Sequence, residues 1–175
     1  MGDLLYSFTE WLWTTPLVDL ALWLSDTSLS LWIVSYFWAI PLIQVVHILA
    51  IAAGFGALLM INFRIFGIAG GNRTIAQTSQ RYIPWMWWAL VVLILTGLLM
   101  IIAEPERELI NPIFWIKMVL VVVTILISIW YNKGILRDLA AGREITATER
   151  TVAGALIILW IVIMACGRWI AYAPV

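Results

Sequence analysis

Apolar residues fall in long blocks along this chain, and the length of each block sets the element expected there. From Pro41 to Phe63 the only strongly polar side chains are Gln44, His47 and Asn62, and about 20 apolar residues in succession cross a bilayer core as a helix. Comparable blocks run from 82 to 103, from 112 to 131 and from about 152 to 171. The pattern predicts an all-α fold, a four-transmembrane-helix bundle over residues 41–175. Gly54, Gly97 and Gly154 are small positions where its helices can approach closely.

Residues 1–40 read differently. Thr14 or Thr15 followed by Pro16 is a helix start signal. The apolar turns from Leu17 to Leu24 are broken by Asp19 and ended by Ser25, Asp26, Thr27 and Ser28. So short a run, flanked by Trp11, Trp13 and Trp23, suits an amphipathic helix lying in the interface. Leu29 to Ile40 is apolar again and joins the first span directly. Pro41 lacks a backbone N–H and starts or kinks a helix, so 29–40 is predicted to be a second interfacial or tilted helix, the alternative being one long helix kinked at Pro41.

Charge orients the spans. The stretch from Arg64 to Arg81 has three arginines and no acid, and that from Lys133 to Arg150 has four basic residues against Asp138, Glu144 and Glu149. The stretch after the second span reads EPERE, and the N-terminal segment carries Asp3, Glu10, Asp19 and Asp26 with no base. Basic residues accumulate on the cytoplasmic side, so both termini are predicted to be extracytoplasmic in a multi-pass protein of the bacterial inner membrane. The N-terminus has no basic n-region and is expected to stay on the mature chain. Trp85, Trp87, Trp88 and Trp130 then mark one interface, and Trp38, Trp115 and Trp169 the other. Trp160, near the middle of the fourth span, is the one this belt does not explain.

Composition agrees: 64% of the 175 residues are hydrophobic and 11% charged, with mean hydropathy +1.02, outside the range of soluble domains. The single cysteine, Cys166, excludes an intrachain disulfide and any CxxC motif. A net charge of zero argues against nucleic-acid binding. GGNRT at 70–74 lacks the lysine of a phosphate-binding loop. Glu104, Glu106 and Glu108 read as a solvated acidic turn, which leaves hydrolytic chemistry without support.

The candidate chemistry centres on His47, the only histidine. Gln44 lies three residues earlier on the same helix face, and Ala50, Gly54 and Leu58 continue that face, leaving a slot for a neighbouring helix or a flat cofactor. His47 lies roughly 9 Å below Pro41 at 1.5 Å per residue. Lys117 on the third span reaches a similar depth. Arg168 stands near the same end of the fourth, with Met164 one turn deeper. Ionisable side chains in hydrocarbon usually face the bundle interior. Each has a plainer role too: the cations can snorkel to headgroups, the imidazole can bond the backbone or Gln44, and the methionines can simply pack. Agreement in depth favours one shared site. A b-type heme needs an axial nitrogen, an apolar slot and positive groups for its propionates, so His47 is expected as axial ligand and Lys117 and Arg168 as propionate partners. The sixth position is expected open or filled by Met164 or Met100. Bis-histidine ligation of two hemes would need four histidines.

PLIQVVHILAIAAGFGALLMINFRIFG from Pro41, NPIFWIKMVL at the start of the third span and GRWIAY at 167–172 resemble an uncharacterised bacterial four-helix membrane family carrying a domain-of-unknown-function label. The likeness covers nearly the whole chain and implies a fold without an activity. More distantly, the chain is similar to the CopD copper-resistance membrane domain and to HemJ-type protoporphyrinogen oxidases, where a first-span histidine precedes a small-residue run and a third span carries a lysine. That likeness implies heme b on His47 with Lys117 nearby. Arg64 loosely matches the arginine at the end of that first span. The further histidines of the HemJ pattern are missing.

Three functions follow as expectations. The first is a redox protein exchanging electrons with quinone or a tetrapyrrole. The second is a copper-handling protein using His47, Met100, Met164 and Cys166, although Met164 and Cys166 point in different directions. The third is an accessory or scaffold subunit, docked in a membrane complex or homo-oligomer, whose Lys117 and Arg168 hold a lipid headgroup.

Overall fold

A computed structural model describes residues 2–172. Met1 and residues 173–175, to which the predicted sidedness of the termini refers, lie outside the described residues, as does the Asp3 side chain. The fold is all-α, as expected. Four helices are long and apolar enough to cross a membrane: Ala39–Phe66, Ile75–Ala103, Pro112–Ala140 and Ala147–Tyr172.

Three shorter helices come first: α1 Gly2–Trp13, α2 Leu17–Ser25 and α3 Ser28–Ser35. Pro16 precedes α2, and the Thr27 hydroxyl caps α3 by accepting from the Ser30 amide at 3.3 Å. α2 and α3 meet at 61° and are together apolar enough to form one broken span. The predicted helix over 29–40 is therefore divided: α3 ends at Ser35, and Ile40 already belongs to α4, Ala39–Phe66. Pro41 sits in the first turn of α4, where its missing N–H has no helical acceptor to satisfy.

The remaining spans exceed their apolar blocks because polar residues cap them. α5, Ile75–Ala103, starts seven residues before the block at 82. The Thr74 amide donates to Gln77 Oε1 at 3.0 Å and the Gln77 amide donates to Thr74 Oγ1 at 3.2 Å, a reciprocal capping box. α7, Pro112–Trp130, continues through a π-helical turn, Tyr131–Leu136, into the short helix α8, Arg137–Ala140. α9, Ala147–Trp169, ends in a 3₁₀ turn, Ile170–Tyr172. It opens on Thr146, whose amide donates to Glu149 Oε2 at 2.8 Å and whose hydroxyl donates to the same oxygen. The segment EPERE is not an open turn. It forms α6, Pro105–Leu109, with Pro105 and Leu109 buried.

Packing divides the chain into two units. The first comprises Met1–Ile48, Leu93–Val119 and Ile163–Val175, and the second Leu49–Val92 and Leu120–Val162. In the first, Leu12, Ala21, Leu109, Ile110, Phe114 and Ile170 form one apolar cluster, and Ile33, Ala39 and Ala103 another. Asn111 is fully buried there. Its Nδ2 donates to the Ile170 carbonyl at 3.2 Å, and its Oδ1 accepts from the Ile113 amide at 3.0 Å, capping α7. The second unit packs Leu58, Ile61, Ile65, Leu136 and Leu156 around Tyr131. The Tyr131 hydroxyl donates to Asn62 Oδ1 at 3.1 Å, and Asn62 Nδ2 donates to the Ala153 carbonyl at 3.1 Å.

Candidate functional site

His47 is half-buried on α4, and its Nδ1 lies 2.7 Å from Thr96 Oγ1 of α5. The direction of that bond turns on the threonine. With its single hydroxyl hydrogen turned to the Leu93 carbonyl at 3.3 Å, Oγ1 would accept and His47 Nδ1 would carry the proton; in the other tautomer the hydroxyl donates to Nδ1. In the first case Nε2 is the bare nitrogen of the neutral imidazole. Thr96 is only 7% exposed, which shields the pair from competing solvent. Gly97 follows it, and a Cβ there would stand 4.0 Å from His47 Cε1, so the glycine keeps space beside the ring.

The other expected site residues disperse. Lys117 Nζ lies 3.9 Å from Glu108 Oε2, with side-chain exposures of 20% and 13%, and 5.0 Å from the centre of the Phe114 ring. Glu108 is thus not a solvated acid. Burial pushes its carboxyl above the usual carboxylate range, against the pull of Lys117 and Arg107. Arg168 is exposed, and its Nη2 donates to the Tyr172 hydroxyl at 2.6 Å, with the guanidinium stacked 4.9 Å from that ring. Gln44 is exposed, Ala50 buried, and Met164 and Met100 half-buried.

The slot expected at Gly54 is filled by protein. A Cβ there would lie 3.1 Å from Ala89 Cβ and 3.1 Å from the Trp160 indole, which also stacks on Phe55 at 5.9 Å. Trp160, unexplained by the aromatic belt, is a packing residue that closes this face. His47, Lys117 and Arg168 do belong to one unit, but each has its own partner: Thr96, Glu108 and Tyr172.

Sequence reasoning missed those partners. Tyr172 lies four residues after Arg168, at helical contact spacing, and could have been found. Thr96 carries no charge and is 49 residues from His47, so nothing local marks it. No group of three or more His, Cys, Asp or Glu side chains gathers as a metal site among the described residues.

These features define a multi-pass membrane protein with a lone imidazole inside one of its spanning helices. The model described as "Family of unknown function (DUF6644)" matches residues 23–173, and the chain belongs to that family. No curated protein and no solved structure matches it.

Proposed function

We propose that the chain is a redox protein of the bacterial inner membrane, holding a b-type heme on His47 Nε2 and exchanging electrons with a lipid-soluble partner such as a quinone or tetrapyrrole. The supporting observation is the bond from His47 Nδ1 to Thr96. A metal-ligating histidine donates its other ring N–H to a neighbouring acceptor, which fixes the tautomer and the ring orientation. Thr96 supplies that acceptor, and Gly97 keeps the ring's flank clear. Lys117, on the same unit, is the residue to hold a carboxylate of the group, exchanging its long contact with Glu108 for a shorter one. Arg168, bonded to Tyr172 at the end of its own helix, would serve as the second propionate partner by releasing that exposed bond. The group, when bound, would supply one-electron transfer. The charge asymmetry of the loops supports a position for His47 towards the extracytoplasmic side, and a histidine and a lysine as the functional pair is what a resemblance to CopD and HemJ-type proteins would imply.

The test is the absorption spectrum of the detergent-solubilised protein from heme-replete cells, oxidised and then reduced. A Soret band lost in His47→Ala is the expected outcome, and a colourless wild-type protein would refute the reading. One alternative is an accessory subunit: Lys117 and Arg168 both have protein partners already, which leaves docking on a membrane partner, rather than a headgroup held by those two cations, as its basis. A stable complex with a membrane partner, unchanged by His47→Ala, would support that role.

A further inference from the structure

The two cations assigned to the proposed site would release different partners. Arg168 is bonded to the Tyr172 hydroxyl, a neutral group on an exposed residue, so giving it up leaves no charge behind. Lys117 faces a carboxylate instead. Its Nζ stands 3.9 Å from Glu108 Oε2, beyond hydrogen-bond reach, so charge alone holds the pair, and both side chains are largely buried.

The other charges around Glu108 are paired or exposed. Arg107, its neighbour on α6, donates to Glu104 Oε2 at 2.6 Å, and Glu106 is exposed. α2 packs against α6 and carries only Asp19, also exposed. Glu104 with Arg107 and Glu108 with Lys117 therefore make two neutral pairs. A further carboxylate taken up by Lys117 would leave Glu108 ionised and largely buried without its counter-ion, and such an arrangement raises the proton affinity of a carboxyl. Burial already pushes this one above the usual carboxylate range.

We propose that Glu108 couples ligand binding to proton uptake: as Lys117 turns to the carboxylate of a bound heme, Glu108 takes one proton from water and keeps the site neutral. This rests on the reading of Lys117 as a propionate partner. The Glu108 carboxylate and one solvent proton become a carboxylic acid, while the Lys117 ammonium keeps its protons and exchanges one carboxylate for another. No electron moves. Glu108 lies on α6, between the spanning helices α5 and α7 rather than within either, and 13% of its side chain is open, so the proton can arrive from solvent. Glu108 is a positioning residue, acting on the bound group only through Lys117. As pH rises, Glu108 stays ionised and competes for the cation, so the site loosens its hold.

The test is the partition of heme between the full-length protein, in nanodiscs of neutral phosphatidylcholine, and apomyoglobin, read by absorbance across a pH series. Glu108→Gln mimics the acid form and serves as the reference, cancelling the pH dependence of the globin. Against it, wild-type retention is expected to fall with rising pH by up to about tenfold per unit, the slope of one proton. Glu108→Gln should match wild type at the acid end and hold heme more tightly at the alkaline end, the reverse of what damage to α6 would do. Lys117→Met should retain less heme, on a profile parallel to that of Glu108→Gln, and takes over as reference if the glutamine variant does not assemble. Heme bound by wild type on a profile parallel to either variant overturns the coupling and leaves the heme reading standing. A wild-type protein that binds no heme overturns both.

Discussion

Two buried polar arrangements, one in each unit, use similar side chains to opposite ends. In the second unit, Asn62 is 0% exposed, and both ends of its amide are occupied, Oδ1 by the Tyr131 hydroxyl and Nδ2 by the Ala153 carbonyl. In the first, the bond from His47 to Thr96 uses one ring nitrogen of a half-buried imidazole and leaves the other unused. A closed network of this kind ties helices together and offers nothing to a ligand. An imidazole held through one ring nitrogen keeps the other outside the network, which is what the proposed function draws on. Burial alone would rank Asn62 above His47 as a site; counting the unused donors and acceptors reverses the order.

Substitutions can break this contrast, and the largest effect belongs to His47→Ala. It is expected to remove all heme absorbance while leaving the thermal melting of the apoprotein close to wild type, because the ring is not part of an apolar core cluster. Thr96→Val comes next. Without its acceptor the ring loses its fixed orientation, and heme retention in a competition with apomyoglobin is expected to fall about 10–100-fold. Asn62→Leu should act on stability alone. It strands the Tyr131 hydroxyl in the core at a cost of about 1–3 kcal/mol, read by denaturant unfolding in detergent, and adding Tyr131→Phe should restore part of that loss. A Tyr131→Phe change that deepens the loss would show that the network is not closed as described.

The smallest effect is a pH dependence at α6. Burial raises the Glu108 carboxyl on folding, so the folded state holds that proton more tightly than the unfolded chain does. Its contribution to stability is greatest below the unfolded value and is lost as pH rises through the folded one. Thermal melting should therefore decline across a window just above the usual carboxylate range. Glu108→Gln should flatten that decline, and Lys117→Met should extend it to higher pH, since removing that cation leaves only Arg107 to oppose burial. A wild-type slope unchanged in Glu108→Gln would assign the dependence to another group.

Hydropathy gave the class of fold and the existence of four spanning-length helices, because apolar blocks of bilayer length admit few other structures. It misplaced the starts of α5 and α9, since the signals there are polar. Thr74 with Gln77 is a capping box readable in TIAQ, and Thr146 with Glu149 in TATE is a cap in which the carboxylate does the accepting, but both stand outside the apolar runs that set the boundaries. The acids of α6 looked solvated because their composition is that of a turn. Only the fold brings Glu108 within reach of Lys117. The candidate site was half legible. His47 announces itself as an imidazole in hydrocarbon, whereas Thr96 depends on how α4 and α5 are rotated about their axes, which a run of leucines and valines does not record. The same missing rotation is why Gly54 looked like a cofactor slot, although Trp160 occupies it.

The wide turn at Tyr131–Leu136 carries one more residue than an α-helix would use for the same advance, and each residue of an α-helix sweeps about 100° around the axis. Deleting Gly134 from it would scarcely shorten the segment. It would let the turn tighten to ordinary α-helical width with Arg137 to Ala140 left on their present side, as slack is drawn out of a thread, whereas the same deletion within α7 would carry them about 100° round the axis.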